Sequence, residues 1–352
     1  MAFNESASTF EFFRLLPKVD LHRHLEGSLR FETVREVARS HSLDLPQTRQ
    51  LRSMVQIQEN EPLTFENFLS KFTTLRLLYR SPEIISRITQ EAIADAAADN
   101  VRYLELRFTP VALSKGQGFP LARVMDWVIE GARQAEKTCA ITTRLIASVN
   151  RHESLDLAAQ VAALAQERIA DGIVGLDLAG FEPGHPPGAF ASIFSTARAN
   201  GLRITAHAGE WDTGDNVAYS IEQLGAERIG HGIRVLESPR AMQLVRRYQT
   251  AFEVCPTSNY QSGAVADISQ HPMKEMLKRG LNVTLNTDDP GISRITLSHE
   301  YRLACETLNL SLEALKERIL AAARAAFLPD EGRANLVSRL ERELGILPRV
   351  SF

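Results

Sequence analysis

Short apolar runs rich in strand-forming residues alternate along this chain with longer stretches of helical periodicity. Eight runs stand out, at residues 18–24, 101–109, 142–150, 173–179, 202–207, 228–231, 250–255 and 281–287. Between them, residues 121–137, 155–170, 217–224, 242–248 and 272–279 read as helices. Gly172, Gly201 and Gly280 each fall between a helix and the next strand, where a helix C-cap is expected. Eight strands, each followed by helical sequence, predict an α/β fold, a (β/α)8 TIM barrel. A doubly wound open sheet is the alternative, and the regularity of the eight units favours closure.

Two segments depart from the repeat. Residues 44–100 are too long for one crossover after strand one, and they contain Phe65, Phe68, Leu69 and Phe72 at the spacing of a helical stripe. That stripe predicts a helix packed on the barrel. Insertions after barrel strands surround the mouth, so Phe68, Leu69 and Phe72 are also candidates for a lid over a pocket. Residues 310–347 read as two or three extra C-terminal helices, broken at Pro329-Asp330-Glu331-Gly332. Residues 1–352 are read as a single domain.

Composition narrows the function classes. At 352 residues, 44% hydrophobic and 24% charged, the chain suits one large globular domain or two ordinary ones. A net charge of -3 implies no general attraction to nucleic acid or to an anionic membrane. Cys139, Cys255 and Cys305 are widely spaced and read as reduced thiols. The first residues lack the apolar core of a signal peptide, and no segment approaches the ~18 apolar residues of a membrane span. The expectation is a cytoplasmic protein with a small-molecule substrate. No surface pattern marks an oligomer interface.

The chemistry gathers at the strand ends. His22 and His24 close the first run, on the same strand face as Asp20, with Val19 and Leu21 on the other. His207 ends the fifth run, His231 the sixth, and Asp288-Asp289 the eighth. An isolated His-x-His is usually accidental, and Asp-Asp-Pro-Gly is often only a turn. Four separate stretches converging on one rim are not what chance gives. His22, His24, His207 and Asp288 form the expected metal set, suited to one zinc ion, with other late first-row ions as alternatives. Zinc lowers the pKa of a bound water from ~16 toward ~7. The fourth run offers no lysine to bridge two metals.

Glu210 follows His207 by three residues and is the candidate general acid/base; its bland role is an acid in a helix's first turn. His231 is a second candidate ligand, but a role in orienting water suits it better because Asp288 already completes the set. Asp289 is expected to face the substrate, and Gly180 to leave its backbone N–H open to a ligand.

At these residues the chain resembles the adenosine deaminase family of the amidohydrolase superfamily. The matching pieces are DLHRHLEGS (Asp20 to Ser28), LDLAGFE (Leu176 to Glu182), HAGE (His207 to Glu210), RIGHG (Arg228 to Gly232), TSN (Thr257 to Asn259) and NTDDPG (Asn286 to Gly291). The resemblance implies a barrel with one zinc held by His22, His24, His207 and Asp288. It implies that Glu210 protonates the purine ring and that His231 stands beside the attacking water. Asp289 would bind the imidazole-ring nitrogen and Gly180 the six-membered ring. The implied reaction adds water at the carbon bearing the amino group and releases ammonia.

One position departs from the pattern. Adenosine-specific members usually carry Asp where this chain has Glu26, whose carboxylate is expected at the ribose. Glu is common in relatives acting on free adenine or other adenine-containing compounds. FENFLSKF, in contrast, resembles the apolar gate of adenosine-type enzymes. The expected substrate is adenosine or 2′-deoxyadenosine, with free adenine or aminodeoxyfutalosine as alternatives. A binding protein that had lost turnover is expected to lack Glu210 or a ligand, and all are present. A hydrolase of another carbon–nitrogen or phosphoester bond is expected to use two metals and a bridging lysine.

Overall fold

The computed structural model of the chain describes residues 5–46 and 49–345. Eight parallel strands follow one another in sequence order: β1 (Lys18–His24), β2 (Val101–Phe108), β3 (Thr142–Asn150), β4 (Ile173–Ala179), β5 (Arg203–Ala208), β6 (Arg228–His231), β7 (Ala251–Val254) and β8 (Asn282–Leu285). With helices between them, this is the (β/α)8 barrel. β8 meets β1 through a bridge between Arg23 and Asp288. Side chains on both sides of that seam add to it. Asn286 Oδ1 accepts the Leu21 N–H at 2.8 Å, and the Thr287 hydroxyl donates to Asp20 at 2.6 Å.

The apolar runs place the strands well, because a strand buried on both faces is a short continuous apolar segment. Val19, Leu21, Leu104, Leu106, Ile204 and Val283 are fully buried. β7 and β8 are shorter than the apolar pattern suggests. Pro256 starts a helix directly after Cys255, and Asn286 and Thr287 turn to β1 instead of extending the ladder. Gly172, Gly201 and Gly280 all take positive φ after their helices, as a C-cap requires. The helix expected at 155–170 ends at Gln166 and gives way to a short turn, Ile169–Asp171. That expected at 217–224 starts at Asp215 and widens into a π-helical turn over Ser220–Leu224.

The barrel interior below its mouth is charged. Arg107 donates to Glu253 at 2.7 Å, and Arg228 donates to Glu253 at 2.6 Å and also to Glu105. All four side chains are buried. Removing one member of such a network strands its partners and typically costs about 3–5 kcal/mol. The network is therefore a rigid floor for what stands on it.

The insertion after β1 is helical. Within residues 44–100, of which 47 and 48 lie outside the described residues, helices span Arg49–Val55, Phe65–Leu75 and Pro82–Ala98. The Thr64 hydroxyl accepts the Asn67 N–H at 3.3 Å and starts the second of these; Ser81 starts the third in the same way. Lys71 ties the Phe65–Leu75 helix down through Glu61 at 2.6 Å. At the C-terminal end, helices span Leu312–Ala325 and Asp330–Glu343. The break falls at residues 326–329, and Gly332 lies inside the second helix: Pro329 precedes a helix start, where its missing N–H is harmless. Residues 346 and 347 of the expected C-terminal segment lie outside the described residues. No helix among the described residues is long and apolar enough to cross a membrane. Cys139, Cys255 and Cys305 are free.

Candidate active site

At the C-terminal ends of the strands, His22, His24, His207 and Asp288 bring one ligand atom each within 4.8 Å of one another. Strand alternation aims His22 and His24 into the mouth, while the intervening Arg23 points away to Ser28. The β1–β2 ladder shifts register between Asp20 and Arg23, an irregularity that re-aims side chains at barrel rims. Asp288 has a left-handed backbone, φ 60°, which turns its carboxylate back over the strands. Gly230 leaves room for the cluster: a Cβ there would stand 2.9 Å from His22 Cε1.

Buried acids fix the outer nitrogens of two of the rings. His22 Nδ1 lies 2.8 Å from Glu253, and His207 Nδ1 lies 3.1 Å from Asp177. Each Nδ1 therefore carries the proton, and each Nε2 presents a bare lone pair to the centre. Burial pushes the His24 imidazole down to about 4, which favours its neutral form. The inner atoms crowd together: His24 Nε2 is 3.2 Å from His207 Nε2, and Asp288 Oδ1 is 3.2 Å from His22 Nε2 and 3.3 Å from His24 Nε2. His22 Nε2 is buried without a hydrogen-bond partner. Facing lone pairs repel unless a cation lies between them. These three separations match the ~3.3 Å expected around a tetrahedral ion with bonds of ~2.0–2.1 Å. The donor set fits zinc.

Beside the cluster, a chain of hydrogen bonds sets a tautomer. The Met273 N–H donates to His271 Nδ1 at 3.0 Å, so His271 Nε2 carries the proton and donates to Asn259 Oδ1 at 3.2 Å. That orients the Asn259 amide, whose Nδ2 donates to His231 Nδ1 at 3.0 Å and to Glu210 at 3.2 Å. His231 accepts at Nδ1, so its proton is on Nε2, 3.5 Å from Glu210 and 4.0 Å from Asp288. Burial holds His231 well below the usual histidine range. Burial, helped by the charges of Asp288 and Glu182, holds Glu210 well above the usual carboxylate range. Burial thus favours the protonated carboxyl on Glu210 and the neutral imidazole on His231, both facing the cluster.

Above these groups is a cavity of about 320 Å³, the size of a small-molecule site. Phe68, Leu69 and Phe72 line one side from the Phe65–Leu75 helix, and Gly180, Phe181 and Trp211 line another. Phe65 stacks on Phe181, ring centres 4.6 Å apart, and docks the helix onto the loop after β4. Burying a side chain such as Phe68, 2% exposed, contributes about 1.5–3 kcal/mol. Asp289 and Glu26 also line the cavity. Asp289 Oδ1 has no partner, and Gly27 makes space for it, since a Cβ there would fall 1.7 Å away. Burial, then the charges of Asp288, Glu26 and Glu210, hold Asp289 well above the usual range. Burial pushes Glu26 to about 7; one of its oxygens accepts the Thr109 N–H at 2.5 Å, and Oε2 has no partner. Of the residues singled out in the sequence, His22 lies beneath the cavity and the others line it.

Residues 17–343 match the family model described as adenosine deaminase. The chain belongs to the adenosine deaminase family. An adenosine deaminase from Erwinia tasmaniensis is 38% identical over 328 residues, covering 92% of this chain and 98% of that protein. An adenine deaminase from Arthrobacter aurescens superposes with a TM-score of 0.85 at 28% identity, covering 94% of this chain and 99% of the other. An amidohydrolase from Burkholderia ambifaria with bound zinc superposes with a TM-score of 0.87 at 27% identity, covering 98% and 96%. This family member is a deaminase-type hydrolase on a metal-dependent scaffold.

Sequence reasoning did not single out Glu253, Asp177, Asn259, His271, Glu182 or Arg76 for the site. Asp177, Glu182 and Asn259 lie inside motifs shared with the family, so their motif membership was the available signal. Glu253 and His271 carry no local pattern at all; only the fold brings them in.

Proposed function

We propose that this protein hydrolyses adenosine and 2′-deoxyadenosine to inosine and 2′-deoxyinosine plus ammonia, as in purine salvage, using one zinc ion held by His22, His24, His207 and Asp288. The observation that carries the reading is the pairing of Glu210 with the tautomer-fixed His231, 3.5 Å apart at the edge of the four-residue cluster. A zinc ion in that cluster supplies Lewis acidity that brings the pKa of water toward neutrality.

The chain's own groups do the rest. Glu210 donates its proton to the ring nitrogen beside the reacting carbon as water adds there, and takes back the proton the water gives up. It then protonates the departing amino group, so that the carbon–nitrogen bond breaks and ammonia leaves. The proton of the new hydroxyl returns to Glu210 as the carbonyl forms. His231 Nε2–H orients that water and opposes the negative charge that develops on it. Asp289, kept protonated, donates to the imidazole-ring nitrogen, which is an acceptor. The Gly180 N–H donates to the six-membered ring. Phe68, Leu69 and Phe72 cover the base, and residues 44–100 act as a lid-like insertion. The family match over 17–343 supports reading the chain as one catalytic unit.

A second reading, free adenine as substrate, draws on Glu26 and on the likeness to the Arthrobacter adenine deaminase. Ammonia release by the zinc-loaded protein separates the readings when adenosine, 2′-deoxyadenosine, adenine and aminodeoxyfutalosine are compared. Fastest turnover of adenosine is expected. Turnover of adenine alone would transfer the chemistry to the base, and no release from any of the four would refute the assignment.

A further inference from the structure

Three residues that line the cavity each hold a buried polar atom with no partner in the protein, Asp289 Oδ1, Glu26 Oε2 and Arg76 Nε, and so does the metal-facing His22 at Nε2. Native proteins rarely leave such atoms unpaired, and within a binding cavity they mark where a ligand makes its bonds. His22 Nε2 and Asp289 Oδ1 already face the metal and purine positions. Glu26 Oε2 and Arg76 Nε remain.

Arg76 is not a random neighbour. Leu69, Phe72 and Arg76 are spaced three and four residues apart, which is one helix face, and all three line the cavity. Arg76 keeps helical backbone, φ -63° and ψ -21°, at the point where the Phe65–Leu75 helix passes into the turn Arg76–Leu78. The apolar stripe that covers the base therefore ends in a guanidinium. Its charge acts on Glu26 and on Tyr79, yet no ion pair joins Arg76 to a described residue. A guanidinium offers only donors. Glu26, with one oxygen occupied by Thr109, offers an acceptor at the other. A hydroxyl satisfies both, accepting from one and donating to the other. A phosphate would satisfy Arg76 but set its own charge beside the Glu26 carboxyl.

We propose that Arg76 and Glu26 hold a sugar hydroxyl of the nucleoside between them, which makes Arg76 a specificity residue favouring nucleoside over free base. This rests on the nucleoside reading given above.

The test compares the zinc-loaded parent with Arg76→Met, which keeps the length of the side chain and the apolar stripe but removes every donor, and with Arg76→Lys. Substrates are adenosine, its 2′-, 3′- and 5′-deoxy derivatives, adenine and AMP. Losing a charged hydrogen bond predicts a KM for adenosine raised about tenfold, with a smaller change in kcat. One deoxy compound, lacking the hydroxyl in question, should show no such penalty, adenine should show little, and Arg76→Lys should recover part of the loss. Equal losses on adenosine and adenine would overturn the proposal as a packing effect. So would a parent that prefers AMP and loses that preference in Arg76→Met, because the ligand of Arg76 is then an anion. A parent inactive on every nucleoside overturns the nucleoside reading itself, a result read without any variant.

Discussion

The carboxylate of Glu182 accepts the backbone N–H of Glu210 at 3.0 Å. The same carboxylate accepts the N–H groups of Gly209, Trp211 and Asp212 at 2.6, 3.1 and 3.2 Å, and the Asn216 amide at 2.9 Å. One buried acid thus pins the whole turn after β5 and fixes where the Glu210 side chain points. Glu182→Gln keeps the shape but replaces one acceptor oxygen with a donor. We expect kcat on adenosine to fall about tenfold with zinc content unchanged, a displacement of the acid by a fraction of an ångström being sufficient. Unchanged kcat would show that Glu210 is held by its side-chain contacts alone.

Glu210→Gln tests the acid directly. The amide keeps the bond from Asn259 but cannot give up a proton. Turnover is expected to drop by about 10²–10⁴ while zinc, measured by elemental analysis, stays bound. Near-normal activity would remove Glu210 from its assigned role.

Asp177 holds His207 by its outer nitrogen and is not itself one of the four clustered residues. His207 and Arg107 together hold the Asp177 carboxyl well below the usual range, against the opposing effect of burial. In Asp177→Asn, the ring of His207 loses its charged partner. Zinc affinity, followed by competition with a chelator, should weaken about 10–100-fold. A variant with parental affinity would mean that ring packing alone orients His207.

These three residues also show what the sequence could and could not reveal. His22, His24, His207 and Asp288 were legible because each ends an apolar run, and strand ends of a barrel share one rim. The strands were legible for the same reason: burial on both faces leaves a continuous apolar signature. The helix at 65–75 was legible from its stripe, and Thr64 explains its start. Glu253 and His271 were not legible. A buried acid in the middle of a strand and a histidine before a proline carry no periodicity. Their partners lie 231 and 12 residues away in the chain.

Glu26→Asp asks whether the longer acid is tuned to ribose. Asp would draw the carboxylate back by about one bond length from the cavity. With Glu26 and Arg76 sharing a sugar hydroxyl, kcat/KM for adenosine is expected to fall several-fold in this variant while that for adenine changes little. Adenosine turnover that rises in the variant would show Glu26 to be shaped for another adenine compound.

Glu300 gives a prediction about stability. It is buried, accepts the Thr257 N–H at 3.3 Å and leaves Oε1 without a partner. Burial pushes its pKa from 4.5 up to about 8. Between those values the folded chain holds a proton that the unfolded chain has released, so stability falls as pH rises through this window. Glu300→Gln removes that slope. Melting temperatures of parent and variant should agree near pH 4 and diverge above about pH 8, the variant melting several degrees higher. Parallel curves across the window would show that the carboxyl finds a partner when ionised.

The seam between β1 and β8 has a consequence for how this molecule is made. The Asp288 N–H donates to the His22 carbonyl at 2.7 Å, and the His24 N–H donates to the Asp288 carbonyl at 2.8 Å. Leu21 and Asn286, which bond across the same seam, are 265 residues apart. On the ribosome, β1 waits for those 265 residues to follow it before its second neighbour emerges. Closing so long a loop comes late and sets the pace of folding for contacts of this kind. The last member of the four-residue cluster, Asp288, arrives on the same residues that zip the sheet shut. A nascent or truncated chain, however much of its barrel has formed, therefore has no assembled centre with which to attack a nucleoside. Activity begins only when the final strand docks.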